Sequence, residues 1–198
     1  MIPAFNRGLV LAAAVLALVL PAQALAQPTP PPLSPVTVSP EDGPHAFDFL
    51  IGDWKVHVRR LPDRLVGSTK WLDYDGASTV SRVYGSNANI EDFKVDDAKD
   101  DLHIHGQTLR LYNPASQQWN VFPFDVAKGT LGYPQTAGRF SGGRGELYDY
   151  EEWNGAWVLV RFVWTHSGDK AHFEQAFSPD GGKTWEVNWI SDQTRIKP

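Results

Sequence analysis

The stretch of this chain richest in groups that can bind a ligand or move a proton runs from Arg144 to His166. There Glu146, Tyr148, Tyr150, Trp157 and Arg161 are arrayed on either side of Asn154-Gly155. Asn-Gly between two alternating runs signals a two-residue hairpin turn, because both turn positions take positive φ. Counting outward from it predicts Trp153 opposite Ala156, Glu152 opposite Trp157, Tyr150 opposite Leu159 and Tyr148 opposite Arg161. One face of the hairpin then carries Glu146, Tyr148, Tyr150, Trp157, Leu159, Arg161 and Val163, and the other Leu147, Asp149, Glu151, Ala156, Val158, Val160, Phe162, Trp164 and His166. With the first face inward, Tyr148, Tyr150, Trp157 and Arg161 would line a site for a small amphipathic acid or phenol. If that site were catalytic, Tyr148 would serve as acid, Glu146 as base and Arg161 as carboxylate clamp. With the second face inward, the cavity is mostly apolar and the Tyr-Arg set is surface. The first arrangement is the favoured expectation.

The other polar clusters carry weaker chemistry. His103-x-His105 places two imidazoles on one strand face with Asp101, the spacing of a strand metal site. Leu102 and Ile104 claim the opposite face for the core, so the pair is expected in solvent and no metal site is assigned. His57 alternates with Val56 and Val58 in the same way. Glu91, Asp92, Asp96, Asp97, Asp100 and Asp101 are read as a solvated acidic turn, since no calcium loop with its required Gly is present. Ser178-Pro179-Asp180-Gly181-Gly182-Lys183-Thr184-Trp185 matches the hairpin repeated in sialidase propellers, but one copy makes no propeller. It is expected to be structural, with Ser178 and Asp180 bonded to turn amides and Trp185 packed beneath. No cofactor is assigned; heme lacks a specific axial signature, although His166 keeps it open.

Composition bounds the partners. With 18 Lys and Arg against 23 Asp and Glu, the net charge is −5, and the densest basic cluster, Lys55, Arg59, Arg60 and Arg64, is short, which excludes nucleic acid as a favoured partner. The absence of cysteine excludes disulfides, thiolate metal sites and cysteine nucleophiles. Arg7, the apolar run from Gly8 to Leu20, Pro21 and Ala24-Leu25-Ala26 form the three-part pattern of a secretory signal peptide over residues 1–26, shorter in its apolar run than a membrane helix. The expected product is an exported protein, periplasmic or secreted, with no membrane span after cleavage. Seven of the 15 prolines fall between residues 28 and 44, so 27–44 reads as an extended tether and 45–198 as one domain.

Past Asp53 apolar and polar residues alternate in short runs broken by Gly, Asn, Asp and Pro, the pattern of an all-β chain. Expected strands are 54–60, 69–74, 79–84, 91–95, 102–112, 119–125, 145–152, 157–166, 171–177 and 185–190, with turns at Asp75-Gly76, Asn113-Pro114, Asn154-Gly155 and Asp180-Gly181-Gly182. A short helical turn is expected within 44–51. Eight to ten antiparallel strands avoid open edges by closing into an up-and-down barrel, which is favoured over a sandwich.

The segment Phe47-Asp48-Phe49-Leu50-Ile51-Gly52-Asp53-Trp54 places a helical turn and then Gly-x-Trp at the first strand, and Arg195 stands beyond the last expected strand. This resembles the opening and closing of the lipocalins and the wider calycin superfamily. Together with Leu109 to Trp119 and the Ser178 to Trp185 string, it is similar to uncharacterised bacterial secreted proteins with calycin-like barrels. The resemblance implies a Trp54 that plugs the barrel floor, an Arg195 laid across it, and lipocalin-like binding of a small hydrophobic or amphipathic molecule. The alternatives are a cofactor-free lyase or isomerase using Glu146, Tyr148 and Arg161 on a phenolic or oxylipin-like acid, and an envelope protein whose barrel is merely filled. Oligomeric state is not legible in the sequence.

Overall fold

The alternation of the sequence is realised as strand almost throughout. The computed structural model describes residues 39–83, 87–99 and 101–196, so the expected signal peptide and most of the expected tether lie outside the described residues, as does Asp100. A one-turn 3-10 helix, Asp48–Leu50, is followed by β1 (Gly52–Arg60), β2 (Leu72–Arg82), β3 (Ala88–Asp97), β4 (Leu102–Asn113), β5 (Gln118–Asp125), β6 (Thr130–Leu131), β7 (Thr136–Ser141), β8 (Arg144–Trp153), β9 (Ala156–Ser167), β10 (Lys170–Ser178) and β11 (Glu186–Arg195). Neighbours in sequence pair antiparallel, except that β6 only extends the edge of β5 while β7 pairs with it. β11 returns to β1 and β4 also pairs β5, so ten strands close an up-and-down antiparallel barrel of calycin-like form. Closure satisfies backbone groups that a flat sheet would leave open at its edges. Among the described residues no helix is long and apolar enough to cross a membrane.

The register of β8 on β9 is the one the Asn154-Gly155 turn dictates: Trp153 faces Ala156, Tyr150 faces Leu159 and Tyr148 faces Arg161. Both turn residues have positive φ, 50° and 78°. Elsewhere the structure departs from the expectation. Asp75-Gly76 is no turn but the middle of β2. A Cβ at Gly76 would lie 2.3 Å from the Lys94 carbonyl oxygen, so this glycine marks a close approach of β3. Strand β7 was not expected at all; Gly138 at its centre breaks the alternation, and a Cβ there would lie 1.9 Å from the Glu146 carbonyl oxygen. Asn113 does turn the chain, its side-chain oxygen accepting from the Ala115 and Ser116 amides at 2.9 and 3.2 Å.

One end of the barrel is packed solid with aromatic side chains. The segment before β1 folds under the base and inserts fully buried Phe47 and Leu50 beside Trp54, Trp119, Phe140 and Trp164. The Phe47 ring meets Phe140 and Trp119 edge-on, with centroids 4.8 and 5.0 Å apart. Trp54 Nε1 donates to the Leu50 carbonyl at 2.7 Å, and the Arg195 guanidinium lies 4.2 Å from the Trp54 ring centroid while donating to the Ile51 and Phe49 carbonyls. Arg195 is the last residue of β11 itself. Gly52 is required beneath it: its φ is 125°, and a Cβ would sit 2.7 Å from Arg195 Nη1. Residues 39–44, expected in the tether, belong to this plug. Asp42 accepts from the Gly142 and Gly143 amides at 2.8 and 3.0 Å, and the Gly43 carbonyl accepts from Trp119 Nε1 at 2.8 Å.

Replacing Arg195 by Ala removes a cation–π contact of about 0.5–2 kcal/mol and two hydrogen bonds of about 1 kcal/mol each. Urea unfolding of Arg195→Ala is expected to show a loss of roughly 2–4 kcal/mol, against a change within about 0.5 kcal/mol for Arg59→Ala, whose guanidinium covers Trp71 at 5.2 Å on the outer surface.

Candidate functional site

Above the plug the barrel is hollow. A cavity of about 710 Å³ occupies its upper half, inside the roughly 300–1,000 Å³ range of small-molecule sites. Its walls are Phe93 of β3, Ile104 of β4, Val121 of β5, Phe162 and Trp164 of β9, Phe173 of β10 and Trp189 of β11. The mouth lies at the end opposite the plug, where Arg64, Tyr133, Pro134, Glu152 and Trp157 border the cavity. Glycine and threonine at 106 and 108 on β4 widen it: a Cβ on Gly106 would come no nearer than 3.7 Å, to the Phe93 ring.

Its floor is a polar cluster. Arg110, 2% exposed, forms a close ion pair with Glu91 and donates to Asn89 Oδ1 at 3.1 Å; Ser78 donates to Glu91 at 2.6 Å. The guanidinium stands 5.3 Å from the Phe47 centroid and 5.5 Å from that of Trp164, separating cavity from plug. A buried pair of this kind is held by its mutual neutralisation, and removing one partner strands the other. Glu91 is therefore no part of a solvated acidic turn. The strand parity that put Leu102 and Ile104 in the core also carries Thr108 and Arg110 inward, and register pairs Asn89 with Arg110 and Glu91 with Thr108.

The face of the β8–β9 hairpin is corrected as well. Leu147, Asp149, Val158, Val160 and Trp164 are buried on the inner side, and Asp149, Glu151, Phe162 and Trp164 line the cavity. Glu146, Tyr148 and Arg161 do come together, but away from the cavity. Tyr148 donates to Glu146 at 2.8 Å, Arg144 pairs with Glu146 at 2.9 Å, and the Arg161 guanidinium lies 4.4 Å from the centroid of Trp185. The hairpin at 178–185 folds over the outside of the barrel, with Trp185 against Tyr148 and Arg161 and Gly182 beside Leu159, and Leu159 and Val163 are both buried on that side. Both faces of the hairpin are thus covered, and hydrophobicity alone does not separate them. Burial and the Glu146 carboxylate push the Tyr148 phenol up to about 12, so it keeps its proton at ordinary pH. Tyr150 and Trp157 border the cavity near its mouth.

The remaining residues singled out in the sequence are placed as follows. His57, His103 and His105 project outward and bond to Asp75, Asp96 and Asp92, and among the described residues no three His or acidic side chains form a metal-binding group. His166 stacks on Phe49 at 4.1 Å, outside the cavity lining. Asp180 takes bonds from the Ser178 and Thr184 hydroxyls at 2.8 and 2.7 Å and from the Lys183 and Thr184 amides at 3.0 and 2.9 Å, which hold its carboxyl down to about 2; the motif is a structural turn.

The group that sequence reasoning passed over is Asp149. It is 4% exposed, its Oδ2 accepts from the Thr136 hydroxyl at 2.9 Å, and its Oδ1 has no hydrogen-bond partner in the protein. Ser191 Oγ and Gln193 Oε1, also lining the cavity, are likewise buried without partners. Burial, reinforced by the Glu151 carboxylate, pushes the Asp149 carboxyl up to about 7; burial also raises Glu151, and Arg64 opposes that. Near neutral pH this carboxyl can therefore present either a proton or a charge. No family model matches the chain, and no curated protein is significantly similar to it in sequence.

Asp149 holds its proton in the native state to about pH 7 but loses it near 3.9 when unfolded. The native state therefore binds more protons between those values, and stability drawn from this group is greatest below pH 4, falls as pH rises, and levels off above 7. Asp149→Asn keeps the bond from Thr136 and cannot ionise. Its stability relative to wild type is expected to be near zero at pH 4 and to grow to a gain of up to roughly 4 kcal/mol above pH 7, read by urea unfolding across pH.

Proposed function

We propose that this protein is an exported binder of a small hydrophobic or amphipathic molecule, carried in the upper half of a calycin-like barrel. The observation that supports this most strongly is the 710 Å³ cavity, walled by aromatic and aliphatic side chains and holding a few buried polar atoms that lack partners in the protein. A barrel that was merely filled would place side chains there; here Gly106 and Thr108 face the space instead. Apolar burial would supply the affinity and the unpartnered polar atoms the orientation. Export rests on the pattern in residues 1–26, and the calycin affiliation on the Gly52-x-Trp54 start with Arg195 across it. The acid-clamping role expected for Arg161 is dropped, since that guanidinium rests on Trp185 outside the cavity.

The neutral probe N-phenyl-1-naphthylamine tests this. Its fluorescence is expected to rise saturably with one site per chain, unchanged in Arg161→Ala and weakened at least tenfold in Gly106→Phe and Thr108→Trp, which fill the cavity. An absent response in the wild type, or an equal response in the filled variants, would contradict the reading.

A further inference from the structure

The charge of the cavity narrows the ligand class. Of the acidic and basic side chains that line it, Glu91 and Arg110 neutralise each other at the floor. Asp149, Glu151 and Glu152 remain, faced by Arg64. Arg64 is already engaged: its guanidinium lies 5.0 Å from the ring centroids of both Trp153 and Phe177. The cavity thus has an acidic excess beneath its mouth and aromatic rings around it. Asp149 Oδ1 is a buried acceptor without a partner, on a side chain 4% exposed whose other oxygen is fixed by Thr136. A carboxylate ligand would be repelled there. An ammonium would supply the missing hydrogen bond, neutralise a carboxylate in a low-dielectric space, and meet the negative faces of nearby rings.

Resting on the ligand-binding reading above, we propose that the cavity receives a hydrophobic amine, its ammonium donating to Asp149 and its hydrocarbon body lying against Phe162, Trp164, Phe173 and Trp189. Asp149 is then the specificity-determining residue. Glu151 adds a second carboxylate above it, toward the mouth, and Arg64 disfavours any cation left at the rim.

Isothermal titration at pH 7.5 with decylamine, 1-decanol and decanoate separates this proposal from the reading it rests on. Decylamine is expected to bind at least tenfold tighter than decanol, with decanoate weakest. Asp149→Asn should bring decylamine to the level of decanol while leaving decanol unchanged. Glu151→Gln, at a more exposed position, should reduce the amine preference by a smaller factor and guards against a variant that fails to fold. Equal affinity for amine and alcohol, tightest binding of decanoate, or an amine preference that survives in folded Asp149→Asn would overturn the proposal and leave a binding barrel standing. Failure of all three compounds, with no response to the neutral naphthylamine probe either, would overturn both.

Discussion

The arrangement of this molecule depends on one asymmetry: the barrel is packed solid at one end and hollow at the other. A ten-stranded cylinder encloses more space than one layer of side chains fills. The segment before β1 solves this at the base by threading Phe47 and Leu50 into the interior against Trp54, Trp119 and Phe140. Arg195 locks that segment in place from the opposite end of the chain, bonded to the Phe49 and Ile51 carbonyls across the Trp54 ring. With the base solid, the upper half can stay hollow without the barrel collapsing.

The boundary between the two halves is polar, and that is why it holds. Arg110, Glu91, Asn89 and Ser78 come from three adjacent strands and bond to one another in a buried layer between rings, with Arg110 Nε left without a partner. Such a layer has few alternative arrangements, because any slip of register would strand a charge. It fixes the depth of the cavity and leaves the acidic groups above it, Asp149 and Glu151, faced by Arg64 near the mouth.

Much of this was legible in the sequence. Period-two alternation gave the all-β class, Asn154-Gly155 gave a register accurate to the residue, and Gly52-x-Trp54 with Arg195 gave the floor. The losses have physical causes. Strand β7 goes unexpected because Gly138 interrupts its alternation, and the middle of β2 reads as a turn because Gly76, which serves a close strand contact, follows Asp75. The inward face of β8–β9 was misjudged because Trp185, distant along the chain until its hairpin folds back, buries the outer face as well. Glu91 was lost among acidic neighbours whose turn lies several residues further on, although its parity with Asn89 and Val95 marks it as inward. Asp149 reads in the sequence as one residue of the disfavoured face; its importance comes from burial beside Glu151, which no spacing rule reveals.

What the account claims above all is that the upper barrel is a chamber for a guest. Native mass spectrometry of the protein purified from its own host addresses this directly. The account predicts a complex whose extra mass is a small molecule, lost on denaturation and missing from the Thr108→Trp variant prepared in the same way. A bare polypeptide in the wild type, or an identical adduct on the filled variant, would contradict it.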